Sequence, residues 1–356
     1  MRVLIVTAAM GAGHVQVASE LSRRLHARGA DAEVLDMISA AGPAGARLQR
    51  TYRFLLKRAP WLYDAAMRFW ARVPRPLEAL TAAGSHSFED ALRAAVARVR
   101  PDVIVSTYDL ASQALGRLVR RGEIDAPIVT LVVDPGAHPY WVSRHVARHL
   151  VLTSLTGEQL RAYGAQGVAV VRPVLRPEFD SPPGRDAARA RLGLPTGARI
   201  ALVTAGSWAV GGVESTVRQL AEDRDLLVLA LCGHDEQLRA RLSGIERVQP
   251  VPWTPEAPTY LAAADVVIDN AGGLTCWETL ASRTPVLLFR PLAGHGRFNA
   301  ATLDVAGLAR WVQRDDELIP AVAEAARRHG RLPDPNAPDA VDLILASAPR
   351  ASTMVS

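Results

Sequence analysis

Where a glycine turn hands a short apolar run over to a helix, free backbone amides face whatever anion lies there, with roughly half a positive charge from the helix dipole. This chain has such a turn at Ala271-Gly272-Gly273, after the run DVVID and before a helix predicted to begin at Leu274 or Thr275. Glu278 follows about one turn past the glycines, where a carboxylate accepts two hydrogen bonds from the vicinal hydroxyls of a ribose; the plainer role is compensation of the helix dipole. The next apolar run, PVLLF, ends at Arg290-Pro291 and opens a loop carrying His295, Arg297 and Asn299, donors suited to phosphate or sugar. At the other end of the chain, AAMGAGH places His14 just after a glycine turn. An imidazole titrating near pH 6.5 can take the proton of an attacking hydroxyl at neutral pH, and Gly11 and Gly13 would let that hydroxyl's owner approach the backbone. A polar helix cap is the alternative role for His14.

The elements that must position these groups alternate along the chain as strand and helix. Strands are predicted at 3–8, 32–36, 103–107, 127–134, 149–154 and 168–172, then at 199–206, 226–233, 248–251, 265–269 and 285–289, with amphipathic helices between. A chain of 356 residues exceeds one ordinary core. We therefore expect an α/β protein of two Rossmann-like, doubly wound domains facing across a cleft at the carboxyl ends of their strands. The expected divisions are 1–175, a proline- and charge-rich linker at 176–196, a second domain at 197–330, and a C-terminal helix and tail at 331–356.

Several other site types fit less well, and a dinucleotide site is weakened without being eliminated. Gly11-Ala12-Gly13 fails as a dinucleotide fingerprint because Gln16 stands where glycine or alanine is required, although Asp36 lies near where a ribose-binding acid would be. The same loop lacks the Gly-Lys-Ser/Thr ending of a P-loop. Asp223-Arg224-Asp225 has a metal-binding spacing but precedes a strand, away from the expected cleft, and reads as solvated charge. Cys232 and Cys276 offer neither a disulfide framework nor metal-ligand spacing.

The block from Asp265 to Ala300 resembles the donor half of the UDP-sugar glycosyltransferases that include monogalactosyldiacylglycerol synthase and the peptidoglycan lipid-intermediate N-acetylglucosaminyltransferase, enzymes of the GT-B fold. The resemblance implies that Gly272, Gly273, Leu274, Thr275 and Glu278 hold ribose and phosphate, and that His295, Arg297 and Asn299 hold the sugar end. The glutamine-glutamate pair usual in that loop is His295-Gly296 here, so the motif does not name the sugar. GSWAVGGV is similar to the family's diphosphate loop, which brings in Gly206, Ser207, Gly211 and Gly212, with a bulky Trp208 among them; VPWTP stands where relatives hold uracil, which brings in Val251 and Trp253. On the acceptor side AAMGAGH resembles a family glycine-histidine loop, placing Gly11, Gly13 and His14 at the cleft. DPGAHPYW resembles the D…H-P-x-W element of the monogalactosyldiacylglycerol synthases, so that Asp134, His138 and Trp141 match position by position. Asp134 is assigned to orienting His14, to binding the acceptor hydroxyl, or to capping its loop; Trp141 is assigned to a hydrophobic wall.

Residues 47–75 decide the membrane question. Eight basic residues face one acid, Asp64, among Tyr52, Phe54, Trp61, Tyr63, Phe69 and Trp70. That mixture suits an anionic headgroup layer, or a hydrophobic natural product. Alternatively Trp61, Ala65 and Phe69, at helical spacing, form a core stripe with arginines on its solvated face. No apolar run reaches the ~18 residues of a membrane span and the N-terminus enters a strand directly, so a cytoplasmic location is expected, peripheral on the inner membrane face if 47–75 binds lipid. No nucleic-acid motif accompanies the arginines. The expected activity is a metal-independent, inverting transfer from a UDP-sugar co-substrate, without further cofactor, to a hydroxyl of a diacylglycerol- or polyprenyl-like lipid, with His14 and Asp134 as the catalytic pair. A soluble secondary metabolite as acceptor, a UDP-sugar 2-epimerase and a non-catalytic nucleotide-sugar binder are the alternatives.

Overall fold

Continuous apolar runs with β-branched residues make strands buried on both faces, and the chain uses them to build two parallel sheets. The computed structural model describes residues 1–72, 86–204 and 211–349. The first sheet holds β1 (Arg2–Thr7), β2 (Asp31–Asp36), β3 (Val103–Ser106), β4 (Ile128–Leu131), β5 (Arg148–Val151) and β6 (Val168–Val170), in the order β2-β1-β3-β4-β5-β6. The second holds β7 (Arg199–Thr204), β8 (Leu226–Gly233), β9 (Val248–Pro252), β10 (Val266–Asp269), β11 (Val286–Phe289) and β12 (Arg310–Val312), in the order β12-β11-β10-β7-β8-β9. Strand order reverses at β1/β3 in one sheet and at β7/β10 in the other, and ligands enter such sheets at that reversal. The turn after β1 leads into the helix start that carries His14, the turn after β3 into the one that begins at Asp109, and β10 is followed by the Gly272-Gly273 turn.

The two segments outside the expected domains both pack closely against them. Within 176–196, expected as a linker, the helix Arg185–Leu192 buries Arg189, which donates to Asp265 Oδ2 (2.8 Å), Ala263 O (2.9 Å) and Thr196 O (2.6 Å). A buried charge needs such satisfaction, and it fixes this helix to the second sheet. After Gly330 the chain crosses back: Ala340, Val341 and Ile344 of the helix Ala340–Leu345 join one core with Leu21 and Leu25 of α1 (Ala12–Ala27), and Arg28 pairs with Asp342 at 2.7 Å. The C-terminal helix thus packs on the first domain.

Between β2 and β3 lie α2 (Met37–Ala40), α3 (Pro43–Arg58) and α4 (Pro60–Arg72). Helices α3 and α4 form a hairpin whose inner side meets the second domain: the Gly294 N–H donates to the buried Asp64 Oδ1 at 3.1 Å. Further bonds close the cleft floor, from Gly136 N–H to Asn299 Oδ1 (3.1 Å) and from Trp277 Nε1–H to Val133 O (3.2 Å).

Candidate active site

The end of β1 feeds α1 through Gly11, whose φ of 145° is a glycine conformation. His14 lies in the first turn of α1, and its Nδ1 is 2.8 Å from the Thr107 carbonyl. A carbonyl only accepts, so Nδ1 carries the proton and Nε2 keeps the lone pair a base requires. Thr107 is itself fixed, its N–H bonded to Val6 O (3.0 Å) and its hydroxyl to Thr7 Oγ1 (2.9 Å). Tyr108 meets the His14 ring edge-on at 5.1 Å. Asp36, weighed as a ribose acid, instead caps α2 at Ile38 N–H (3.1 Å) and binds the Ala9 N–H (3.0 Å), which holds the His14 loop in place.

Asp134 does not hold His14. It lies beyond the end of β4, and its bond is with Asn299 Nδ2 at 3.5 Å. The carboxylate gathered beside the histidines is Asp109, at the start of the helix Asp109–Arg120, with Oδ2 3.7 Å from His138 Nε2. Burial pushes the Asp109 carboxyl up, and His138 pulls it partly back. Asp109 follows β3 at the sheet's reversal; its position at a strand's carboxyl end was the signal that could have found it. His138 Nδ1 and Trp141 Nε1 are buried without a partner. Each such group costs ~1–3 kcal/mol, and both residues line the central cavity, where a ligand oxygen would relieve that cost.

On the facing domain, Asp269 shapes the glycine turn. Its carboxylate accepts from Ala271 N–H (3.1 Å), Gly272 N–H (2.6 Å) and Thr204 Oγ1–H (2.6 Å). Gly272 has φ +67°, and a Cβ there would lie 2.8 Å from Asn299 Cβ, so the turn presses on the Asn299 loop. The helix Leu274–Ala281 begins beyond Gly273 and carries Glu278, 8% exposed, with Arg176 Nη2 and Gln16 Nε2 each at 3.4 Å. Burial raises Glu278 to about 7 against the pull of Arg176. His295 opens the helix His295–Val305; burial depresses its pKa and keeps the imidazole neutral.

These groups surround one cavity of about 450 Å³ between the domains. It brings together Gly11, Gly13, His14, Asp134, His138, Trp141, Gly273, Leu274, Thr275, Glu278, His295 and Asn299. It adds residues that the sequence did not single out for the site, among them Asp109, Tyr108, Tyr52, Tyr63 and Met67. Among the described residues no lysine or arginine lines it.

Other expected site residues stand elsewhere. Arg297 points outward, 56% exposed, towards Asp64 at 3.6 Å. Trp253 is 60% exposed and stacks on His234 at 5.5 Å, while Val251 is buried within β9; neither lines the cavity. Gly211 contacts Asn270 and Gly212 precedes the helix Val213–Leu220, beside the cavity, and Gly272 shapes the turn behind it. Gly206, Ser207 and Trp208 lie outside the described residues, as do 73–75 of the basic aromatic segment.

The hairpin answers the question of the aromatic stripe. Trp61 is 71% exposed, Phe69 55% and Phe54 62%, and Ala65 is exposed as well, so Trp61, Ala65 and Phe69 are not a core stripe. The inward face is Tyr52, Leu56, Tyr63 and Met67. Among the described residues no helix is long and apolar enough to cross a membrane.

Residues 14–171 match the family model for monogalactosyldiacylglycerol (MGDG) synthase, and 201–336 match the glycosyltransferase family 28 C-terminal domain. A processive diacylglycerol beta-glucosyltransferase of Bacillus thuringiensis is 26% identical over 335 residues, spanning 91% of this chain and 85% of that protein. Among solved structures, a spinosyn rhamnosyltransferase superposes with TM-score 0.68 at 18% identity (97% of this chain, 99% of that one). The MurG protein of Acinetobacter baumannii does so with TM-score 0.60 at 18% identity over the same shares. These likenesses give the two-domain fold.

Proposed function

Starting from the premise that this chain is a GT-B glycosyltransferase of the superfamily holding the MGDG synthases and the peptidoglycan N-acetylglucosaminyltransferases, we propose that it moves a hexose from a UDP-sugar to a hydroxyl of a diacylglycerol-like lipid, with inversion and without a metal. The carrying observation is the cavity itself: His14 and the Gly273 helix start both line it, and the lipid-compatible hairpin forms its wall. The similar Bacillus protein is named for a diacylglycerol acceptor, which supports the lipid reading.

The acceptor hydroxyl enters between the domains, and His14 Nε2 takes its proton as the oxygen attacks the anomeric carbon from the face opposite the nucleotide. The C–O bond to the diphosphate breaks in line, and the leaving charge moves to the amides at Gly273, Leu274 and Thr275, with the helix dipole behind them. Glu278 accepts from the ribose hydroxyls. With no lysine or arginine among the described lining residues, backbone amides are the means of neutralising that charge at this end. Asp109 holds His138 in orientation, so that His138 Nδ1 and Trp141 Nε1 bind acceptor oxygens.

The lipid reaches the cavity from the membrane side. Phe54, Trp61 and Phe69 are exposed together with Arg50, Lys57 and Arg58, while the segment's one acid, Asp64, is buried against Gly294. The outer face is therefore apolar and cationic, as an anionic inner leaflet requires, each basic side chain near the surface contributing ~1 kcal/mol. A UDP- and TDP-release screen of nucleotide-sugars against diacylglycerol vesicles, a polyprenyl lipid and a soluble hydrophobic acceptor tests the proposal. Release of UDP with lipid vesicles is expected; turnover only with a soluble acceptor refutes the lipid assignment, and release of TDP alone refutes the nucleotide.

A further inference from the structure

The loop from Val133 to Ala137 belongs to the first domain, leads to His138, and is held largely by the second domain. Trp277 Nε1–H donates to the Val133 carbonyl (3.2 Å), and Asn299 Oδ1 accepts from the Gly136 N–H (3.1 Å). The Ala137 N–H donates to Gln159 Oε1 (2.9 Å), and the nitrogen of that same amide donates to Thr302 Oγ1 (3.1 Å). Only the Pro135 carbonyl is held from within its own domain, by Thr156 Oγ1–H at 2.6 Å. Asn299 and Thr302 stand three residues apart on the helix His295–Val305, so they project from one face of it. Asn299 is 1% exposed, and one orientation of its amide fits: the Gly136 N–H needs the oxygen, and the Ala271 carbonyl, at 3.3 Å, needs the nitrogen. The side chain therefore ties the glycine turn of one domain to the loop of the other. The backbones meet as closely. A Cβ on Gly136 would lie 2.6 Å from Phe298 C and 2.9 Å from Asn299 N, while its φ is not in the left-handed region, so the facing domain is what requires glycine there.

We propose that Asn299 and Thr302 are positioning residues for the acceptor site: from the second domain they hold the loop 133–137, and through it His138, where acceptor oxygens bind. The inference rests on the glycosyl-transfer reading above, and it gives Asn299 a role other than the contact with the donor sugar that the resemblance implies. His138 is the next residue after Ala137, and its Nε2 side faces Asp109 Oδ2 at 3.7 Å. With that edge of the imidazole held by Asp109, the loop backbone sets where Nδ1 points. Thr302 and Gln159 do not line the cavity, so Thr302 can reach a substrate only through the loop. The acceptor contacts are complete only while the second domain is in place. Whatever holds the two domains together therefore strengthens them, by linkage.

The test compares the wild type with Thr302→Val, with Thr302→Ser as its rescue, and with Asn299→Ala, each checked by melting curve. Thr302→Val removes the hydroxyl that ties Gln159 across the domains and leaves the Ala137 bond to Gln159 intact. Its kcat/KM for a short-chain diacylglycerol dispersed in detergent should fall ~2- to 10-fold, the worth of one neutral hydrogen bond, with UDP affinity and the KM of UDP-glucose as in the wild type. Thr302→Ser should restore the wild-type value. Asn299→Ala should lower the acceptor kcat/KM by at least as much, and by more than it raises the KM of UDP-glucose. Hydrogen exchange over 133–138 should quicken ~2- to 10-fold in Thr302→Val and Asn299→Ala and keep its wild-type rate in Thr302→Ser. A Thr302→Val protein identical to the wild type, or one whose donor KM rises as much as its acceptor KM, overturns the role. So does an Asn299→Ala protein impaired in donor KM alone, which would return Asn299 to the sugar. If no donor is turned over with any acceptor, the glycosyl-transfer reading fails, and the exchange rates still decide whether the second domain holds the loop.

Discussion

Replacing Glu278 with glutamine should make the protein more stable and a poorer nucleotide binder at once. Glu278 is 8% exposed, and burial lifts its pKa from the ordinary 4.5 to about 7. At 1.36 kcal/mol per pKa unit, the buried carboxylate is destabilised by about 3 kcal/mol above pH 7. Because the folded protein binds this proton more tightly than the unfolded chain, the wild type loses stability as pH climbs from about 4.5 to about 7 and loses no more beyond. Glu278→Gln removes that loss. Allowing for the part of the Arg176 interaction that disappears with the charge, the variant should match the wild type below pH 4.5 and exceed it by about 2 kcal/mol above pH 7. Melting curves across that range give the difference directly. Ribose hydroxyls donating to the carboxylate favour its charged form, so UDP binding near pH 6.5 should release a proton from the wild type and none from the variant. UDP affinity should fall about 10- to 100-fold, the worth of ~1.5–3 kcal/mol of hydrogen bonding to a charged acceptor. Calorimetry in two buffers of different ionisation enthalpy reads both quantities. A variant that is no more stable at pH 8 than at pH 4.5, relative to wild type, or that binds UDP undiminished, refutes the placement of a strained carboxylate at the ribose.

Three further outcomes follow from the geometry. His14→Ala should lower kcat by about 10²- to 10⁴-fold with UDP affinity unchanged, since the glycine turn and Glu278 lie on the other domain; unimpaired turnover removes His14 from the chemistry. Trp61→Ser with Phe69→Ser should abolish sedimentation with anionic vesicles and spare turnover of a detergent-dispersed short-chain acceptor, because both side chains face away from the cavity. Gly294→Ala combines a φ of +70° with a Cβ 2.6 Å from Tyr63 Cε1, and should raise the donor KM by moving the hairpin off His295, alongside a destabilisation of ~1–2 kcal/mol in thermal melts.

What can be read in the sequence is local in origin. Strand runs of Val, Ile and Leu, glycine turns at their carboxyl ends, and helices beginning just after them are encoded within about ten residues of each other, which is why the two sheets and the positions of His14 and Glu278 were legible. The partners were not. Asp134 stood beside His138 in a motif, yet the carboxylate that reaches His138 is Asp109 from a neighbouring strand end, because parallel crossovers bring together loops far apart in the chain. Arg297 sat among the expected donors, and the turn of its helix aims it outward.

The hairpin shows the division most clearly. Helical periodicity in residues 47–72 established that α4 has two faces, but Trp61, Ala65 and Phe69 on one and Tyr63 and Met67 on the other are both apolar, and periodicity fixes the angle between faces without saying which turns inward. That choice was made by packing across the domains: the Gly294 N–H needs an acceptor, Asp64 supplies it, and the bond commits the Tyr63 side to the cavity and the Trp61 side to the surface. The fold and the placing of His14 and Glu278 beside glycine turns were readable from the chain alone. Which aromatic face lines the cavity followed from tertiary packing, because it depends on a contact between residues 64 and 294.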